Sequence, residues 1–159
     1  YLGYVNKTVN FRTEANTSCK VISSLKQGTA LFVISKDIIN GFYQVLEIET
    51  NKEGFVHSNF VKLDRMIPKN EEGIFTPVGK TSSEKPVIKI YNNTSKTLTL
   101  KLNDKIYSFS PQERESLTLS SGSYSYRASA PGVLPDYGTE LMKSSYEYEW
   151  SFYISTTKN

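Results

Sequence analysis

Thr97-Leu98-Thr99-Leu100-Lys101-Leu102-Asn103-Asp104-Lys105-Ile106-Tyr107 decides the fold class. Leu98, Leu100 and Leu102 recur with a period of two, so in an extended chain they share one face while Thr97, Thr99 and Lys101 share the other. One side of this strand is core and the other meets water. Asn103-Asp104 separates two such runs, and both residue types tolerate the positive φ that tight hairpin turns demand, so a hairpin is predicted there.

Outward from this hairpin the same texture continues. Short strand-like runs with turn signals between them recur roughly every 8–12 residues, and long helical periodicity is missing. Toward the C-terminus, Ser110-Pro111-Gln112-Glu113 has the form of a helix cap, yet Leu117 and Leu119 return at once to period two, which leaves room for at most one helical turn. A strand over 124–128 follows, then a Pro- and Gly-rich loop over 131–138. A last strand over 146–154 carries Tyr146, Tyr148, Trp150, Phe152 and Ile154 on one face and Glu147, Glu149, Ser151 and Tyr153 on the other. The aromatic face is assigned to the core. Toward the N-terminus, strands are predicted near 9–12, 20–25, 30–36, 42–48 and 54–56, punctuated by Gly28, Asn40-Gly41 and Asn51-Lys52. Residues 64–85 lose the period and hold Pro68, Gly73, Pro77, Gly79 and the polar run KTSSEK. The chain is therefore expected to be all-β: a small barrel over 1–66, a linker over 67–85 and a β-sandwich of immunoglobulin-like pattern over 86–159. A length of 159 residues suits two small domains with thin cores.

Composition excludes several functions. The net charge of +3, from 19 basic and 16 acidic residues, is spread nearly evenly over both halves, so no basic face for nucleic acid is expected. No apolar run reaches the roughly 18–20 residues that cross a bilayer, and the opening YLGYVNK shows no basic-then-apolar leader pattern. The single Cys19 forms no intrachain disulfide and no thiolate cluster. A thiol nucleophile needs a base, and His57, the one histidine, falls in a different predicted strand region. The pairs Glu47/Glu49 and Glu147/Glu149 share strand faces as solvated strips, which is not the buried, unequal pair that acid–base catalysis requires. Ser121-Gly122-Ser123 reads as a turn and not as a nucleophile elbow. There is no phosphate-binding glycine loop, calcium loop or paired-histidine motif, so no catalytic residue, metal or cofactor is expected. Four Asn-x-Ser/Thr sequons, at Asn6, Asn16, Asn92 and Asn93, are what chance gives in a chain so rich in these residues.

The first third carries a more specific pattern: Asn10 and Arg12 one residue apart, Gln27-Gly28, Gly41-Phe42-Tyr43-Gln44-Val45, and Gly54-Phe55-Val56-His57-Ser58-Asn59-Phe60-Val61. In order and spacing, residues 3–63 resemble the bacterial SH3-like domain. That family has an Asn-x-Arg strand, a lysine-glycine turn, a glycine-tryptophan-tyrosine-x-valine strand and a closing glycine-tryptophan-valine segment. Phenylalanine replaces both tryptophans here, and Glu14-Ala15 stands where the family often has Gly-Pro. The resemblance implies a five- or six-stranded barrel that binds peptide or cell-wall material, with catalysis elsewhere. It also implies an extracytoplasmic place in a bacterium, whether periplasmic, cell-surface or secreted. By the same resemblance the groove lies between the loops around Glu14–Ser18 and Asp37–Gly41, and Glu14, Asn16, Phe42, Tyr43, Phe55 and His57 are its candidate ligand-binding residues.

The expected function is thus a non-catalytic envelope binding or scaffold protein whose partner is a peptide, a peptidoglycan fragment or an envelope protein. Two other functions fit the same sequence: a carbohydrate-binding module centred on the second domain, and a regulatory or inhibitory partner of an enzyme. In the second domain Tyr137, in the Pro- and Gly-rich loop, and Tyr153, on the polar strand face, are the surface candidates.

Overall fold

The structure, a computed structural model, describes residues 1–154. It is all-β, and its helical content is confined to one 3-10 turn, Ser58–Phe60. Among the described residues no helix is long and apolar enough to cross a membrane. The chain divides into two compact units, Tyr1–Pro68 with Pro131–Leu134, and Lys69–Ala130 with the residues from Pro135 onward.

The first unit contains β1 (Leu2–Val5), β2 (Val9–Arg12), β3 (Val21–Leu25), β4 (Ala30–Val33), β5 (Phe42–Glu47), β6 (Lys52–His57) and β7 (Val61–Arg65). They pair antiparallel in the order β3-β2-β6-β5-β4-β1-β7. The order is open: no ladder joins β3 to β7 among the described residues, so the sheet is not a hydrogen-bonded ring. Exposed Lys62, Asp64 and Arg65 keep the β7 edge charged, which discourages further pairing there. Val5, Phe11, Leu25, Leu31, Val33, Val45, Val56 and Val61 form the core. Where β2 meets β6, a side chain on Gly54 would come within 2.6 Å of the Arg12 carbonyl oxygen and 2.7 Å of the Phe11 ring. Only glycine allows that approach.

The second unit holds two four-stranded sheets with a common core. Its strands are β8 (Thr76–Lys80), β9 (Val87–Asn92), β10 (Leu98–Leu102), β11 (Lys105–Phe109), β12 (Arg114–Thr118), β13 (Gly122–Ser129), β14 (Asp136–Met142) and β15 (Tyr146–Phe152). One sheet runs β11-β10-β13-β14 and the other β12-β9-β15-β8. Leu98, Leu100 and Leu102 from the first meet Ile88, Ile90, Tyr148 and Trp150 from the second. The leucines are 0%, 0% and 2% exposed, as their alternation predicts. Leu102 pairs with Lys105 across the two-residue turn, where Asn103 takes φ 52°. The Ser110–Glu113 segment makes a turn and no helix: the Glu113 N–H donates to the Ser110 carbonyl, and Gln112 sits at φ 64°.

Residues 67–85, expected as a linker, contain β8, which pairs with β15. The segment before β8 is held by side chains. The Asn70 Nδ2 donates to Asp136, and Glu140 Oε1 accepts from the backbone N–H groups of Ile74 and Phe75. In β12-β9-β15-β8, β9 and β15 run parallel, which no local sequence pattern announces.

Candidate functional site

The hairpin of β5 and β6 builds the site. Phe42 lies opposite His57, Tyr43 opposite Val56 and Gln44 opposite Phe55. Alternation therefore turns Tyr43 toward the core with Val45 and Val56, and places Phe42, Gln44, Phe55 and His57 on the other face. The Phe42 and His57 rings meet edge to face with centroids 5.3 Å apart, and the Phe60 ring meets His57 in the same manner at 6.0 Å. His57 Nδ1 accepts the Asn59 N–H at 3.2 Å, which starts the 3-10 turn and orients the ring. With Nδ1 an acceptor, the neutral ring carries its proton on Nε2. A side chain at Gly41 would come within 3.1 Å of that Nε2, and Gly41 itself takes φ 86°, so the turn and the ring position depend on glycine.

β2 supplies the polar wall. Phe11 is fully buried, so Asn10 and Arg12 face the other way. The Arg12 Nη1 donates to the carbonyls of Thr17 at 3.0 Å and Cys19 at 3.4 Å, which secures the loop after β2. Within that loop Asn16 Oδ1 accepts from the N–H and hydroxyl of Ser18. The Asn40 Nδ2 donates to the Ala15 carbonyl at 3.4 Å, tying the loop before β5 to the loop after β2. The result is a groove of about 330 Å³ with Asn10, Arg12 and Thr17 on one side and Phe42, His57 and Phe60 on the other.

Of the six residues expected here, Phe42 and His57 line the groove. Glu14 is exposed in the neighbouring loop, where Asn16 serves the loop's own hydrogen bonds, and neither is among the lining residues. Phe55 shares the strand face of His57 without lining the groove, and Tyr43 packs against the core. Sequence reasoning did not count Asn10, Arg12, Thr17 and Phe60 as site residues. The signal for the first two was available in the Asn10-Phe11-Arg12 alternation, whereas Thr17 and Phe60 are brought in by a loop and a turn. In the second unit Tyr137 is half-buried on β14 opposite Arg127, and Tyr153 is 66% exposed just beyond β15.

Cys19 and His57 are not hydrogen-bonded to each other among the described residues. The Cys19 Sγ contacts the carbonyls of Glu14 at 3.3 Å and Asn16 at 3.2 Å. Desolvation alone would raise its thiol pKa, but hydrogen bonds at the Glu14 main chain and from the Thr13 and Arg12 side chains outweigh it and hold the pKa below the ordinary value. Among the described residues no group of three or more His, Cys, Asp or Glu side chains is placed to hold a metal ion.

Comparison with curated proteins and with solved structures finds no match. Residues 7–62, which contain every residue lining the groove from Thr8 to Phe60, match the family model described as bacterial SH3 domain.

Proposed function

We propose that the chain is a non-catalytic binding and scaffold protein of the bacterial cell envelope, and that its N-terminal groove takes an extended peptide or a peptidoglycan fragment. A bacterial SH3 domain suggests a role in binding protein or peptidoglycan. The observation that carries the reading is the two-sided groove within that domain. His57 and Phe60 offer rigid apolar surface on one side, with buried Phe42 behind them, and Asn10, Arg12 and Thr17 offer hydrogen-bonding groups on the other. An extended peptide presents the same two characters, with apolar side chains and a polar backbone that both donates and accepts. Peptidoglycan lies outside the cytoplasm, so with that ligand the reading also puts the protein there. The second unit serves as the scaffold.

The test is sedimentation of the intact chain with purified peptidoglycan. Wild-type protein is expected in the pellet. His57→Ala removes the ring that joins Phe42 to Phe60, and the expected loss of affinity is about 1–2 kcal/mol, or roughly five- to thirtyfold. Circular dichroism checks that the variant stays folded. Wild-type protein that remains in the supernatant at every peptidoglycan concentration removes peptidoglycan as the ligand and leaves a protein or peptide partner.

A further inference from the structure

The second unit has its own concavity, of about 840 Å³, over the β12, β9 and β15 part of one sheet. Strand register determines what this face displays. On β9, Ile88 and Ile90 enter the core, so Lys89 and Tyr91 point away from it. β12 sets Arg114 opposite Tyr91 and Ser116 opposite Lys89. β15 sets Ser151 and Glu149 beside the same two residues from the other flank. Two polar rows cross three strands: Arg114, Tyr91, Ser151, and next to it Ser116, Lys89, Glu149.

These groups are held in place within the unit. The Arg114 guanidinium lies 3.8 Å from the centroid of the Tyr91 ring, and the Tyr91 hydroxyl donates to Gln112 Oε1 at 2.9 Å. The Lys89 Nζ sits 3.3 Å from a Glu147 carboxylate oxygen. Stacking on Tyr91 fixes the plane of the guanidinium, so little side-chain freedom remains to be lost on binding.

The charge of the lining chooses among ligand classes. Arg114 and Lys89 are balanced on this face by Glu149 and by Glu147, the ion partner of Lys89. A polyanion would bring its charges against two carboxylates, and an apolar partner would strip water from four charged groups without replacing their hydrogen bonds. A neutral chain rich in hydroxyls meets neither cost. Each hydroxyl donates to a carboxylate and accepts from a guanidinium or ammonium group, and Ser116 and Ser151 do either. We infer that this face is a binding site for a neutral polysaccharide, gripped between Arg114 and Glu149. It is independent of the groove in the N-terminal unit.

The test uses the intact chain with mannan, laminarin and N-acetylglucosamine oligomers as neutral probes. Polygalacturonate and an acidic peptide serve as contrasts, and each titration is run at low and high salt. Saturable binding to at least one neutral probe is expected, with little dependence on salt. Arg114→Gln and Glu149→Gln each should weaken it about tenfold, the loss of one charge-assisted hydrogen bond. Both residues are exposed, and unchanged Trp150 emission certifies the fold of each variant separately. Failure to bind any neutral probe, wild-type affinity in both variants, or preference for polygalacturonate or the peptide each overturns the assignment. His57→Ala is expected to leave this binding unchanged, which distinguishes it from peptidoglycan sedimentation through the other unit.

Discussion

Tyr126 shows what one side chain contributes to the second unit. Its ring is almost fully buried in the sandwich core, and its hydroxyl donates to the Asp136 carboxylate at 3.0 Å. Burial, then the charge of Asp136 and the hydrogen bond to it, then Glu140, all push the phenol pKa far above its ordinary value. In the unfolded chain the same phenol ionises near pH 10. Above about pH 10 the unfolded state therefore releases a proton that the folded state keeps, so stability falls as pH rises, while below that pH the contribution is complete. Tyr126→Phe removes this dependence and also the hydrogen bond, which at neutral pH costs about 1.5–3 kcal/mol. Urea midpoints measured from pH 7 to 11 should fall more steeply above pH 10 for the wild type than for the variant. Parallel curves would show that the phenol does not carry the effect.

Among the elements, the strands most readable in the sequence were those with one wet and one dry face. Leu98, Leu100 and Leu102 gave β10 its inner face, and Tyr148 and Trp150 did the same for β15. β8 was not readable, because Thr76, Pro77, Val78, Gly79 and Lys80 are all exposed and pattern alone cannot distinguish such an edge strand from a linker. The same limit holds at the N-terminal groove. Alternation separates Phe42 from Tyr43 but not core from solvent, since both faces of β5 are partly covered. In sequence Asn92 shows only as part of a sequon, yet it organises three elements at the end of β9. Its fully buried Nδ2 donates to the carbonyls of Lys96, Phe109 and Ser110, and its Oδ1 accepts from the Thr94 hydroxyl. Asn92→Ala leaves those carbonyls short of a donor and should cost roughly 2–4 kcal/mol. Asn92→Asp sets a carboxylate against the same carbonyls and should cost more. Denaturant unfolding of the two variants decides, and an aspartate tolerated as well as the native asparagine would mean the donor count is not what matters here.

At the scale of the whole molecule, each unit has a hydrophobic cluster of its own, one built on Phe11, Leu31 and Val45 and the other on Ile88, Leu100 and Trp150. Two cores in one chain predict two cooperative transitions, and the sequence supplies a probe for each. Its single tryptophan, Trp150, lies in the second unit, and its single histidine, His57, lies in the first. Indole fluorescence therefore follows one unit and the imidazole proton resonances follow the other. Leu100→Ala opens a cavity in the sandwich and should cost about 2–5 kcal/mol, shifting the fluorescence transition while the His57 resonances persist to their original temperature. Leu31→Ala should do the reverse. Its effect should be the more severe, because a sheet of about 70 residues has little stability to lose and a lesion of that size consumes most of it. If both probes shifted together in either variant, the units would be folding as one. Loss of peptidoglycan retention in Leu100→Ala protein could then no longer be assigned to either unit alone, whereas separate transitions leave retention by that variant intact.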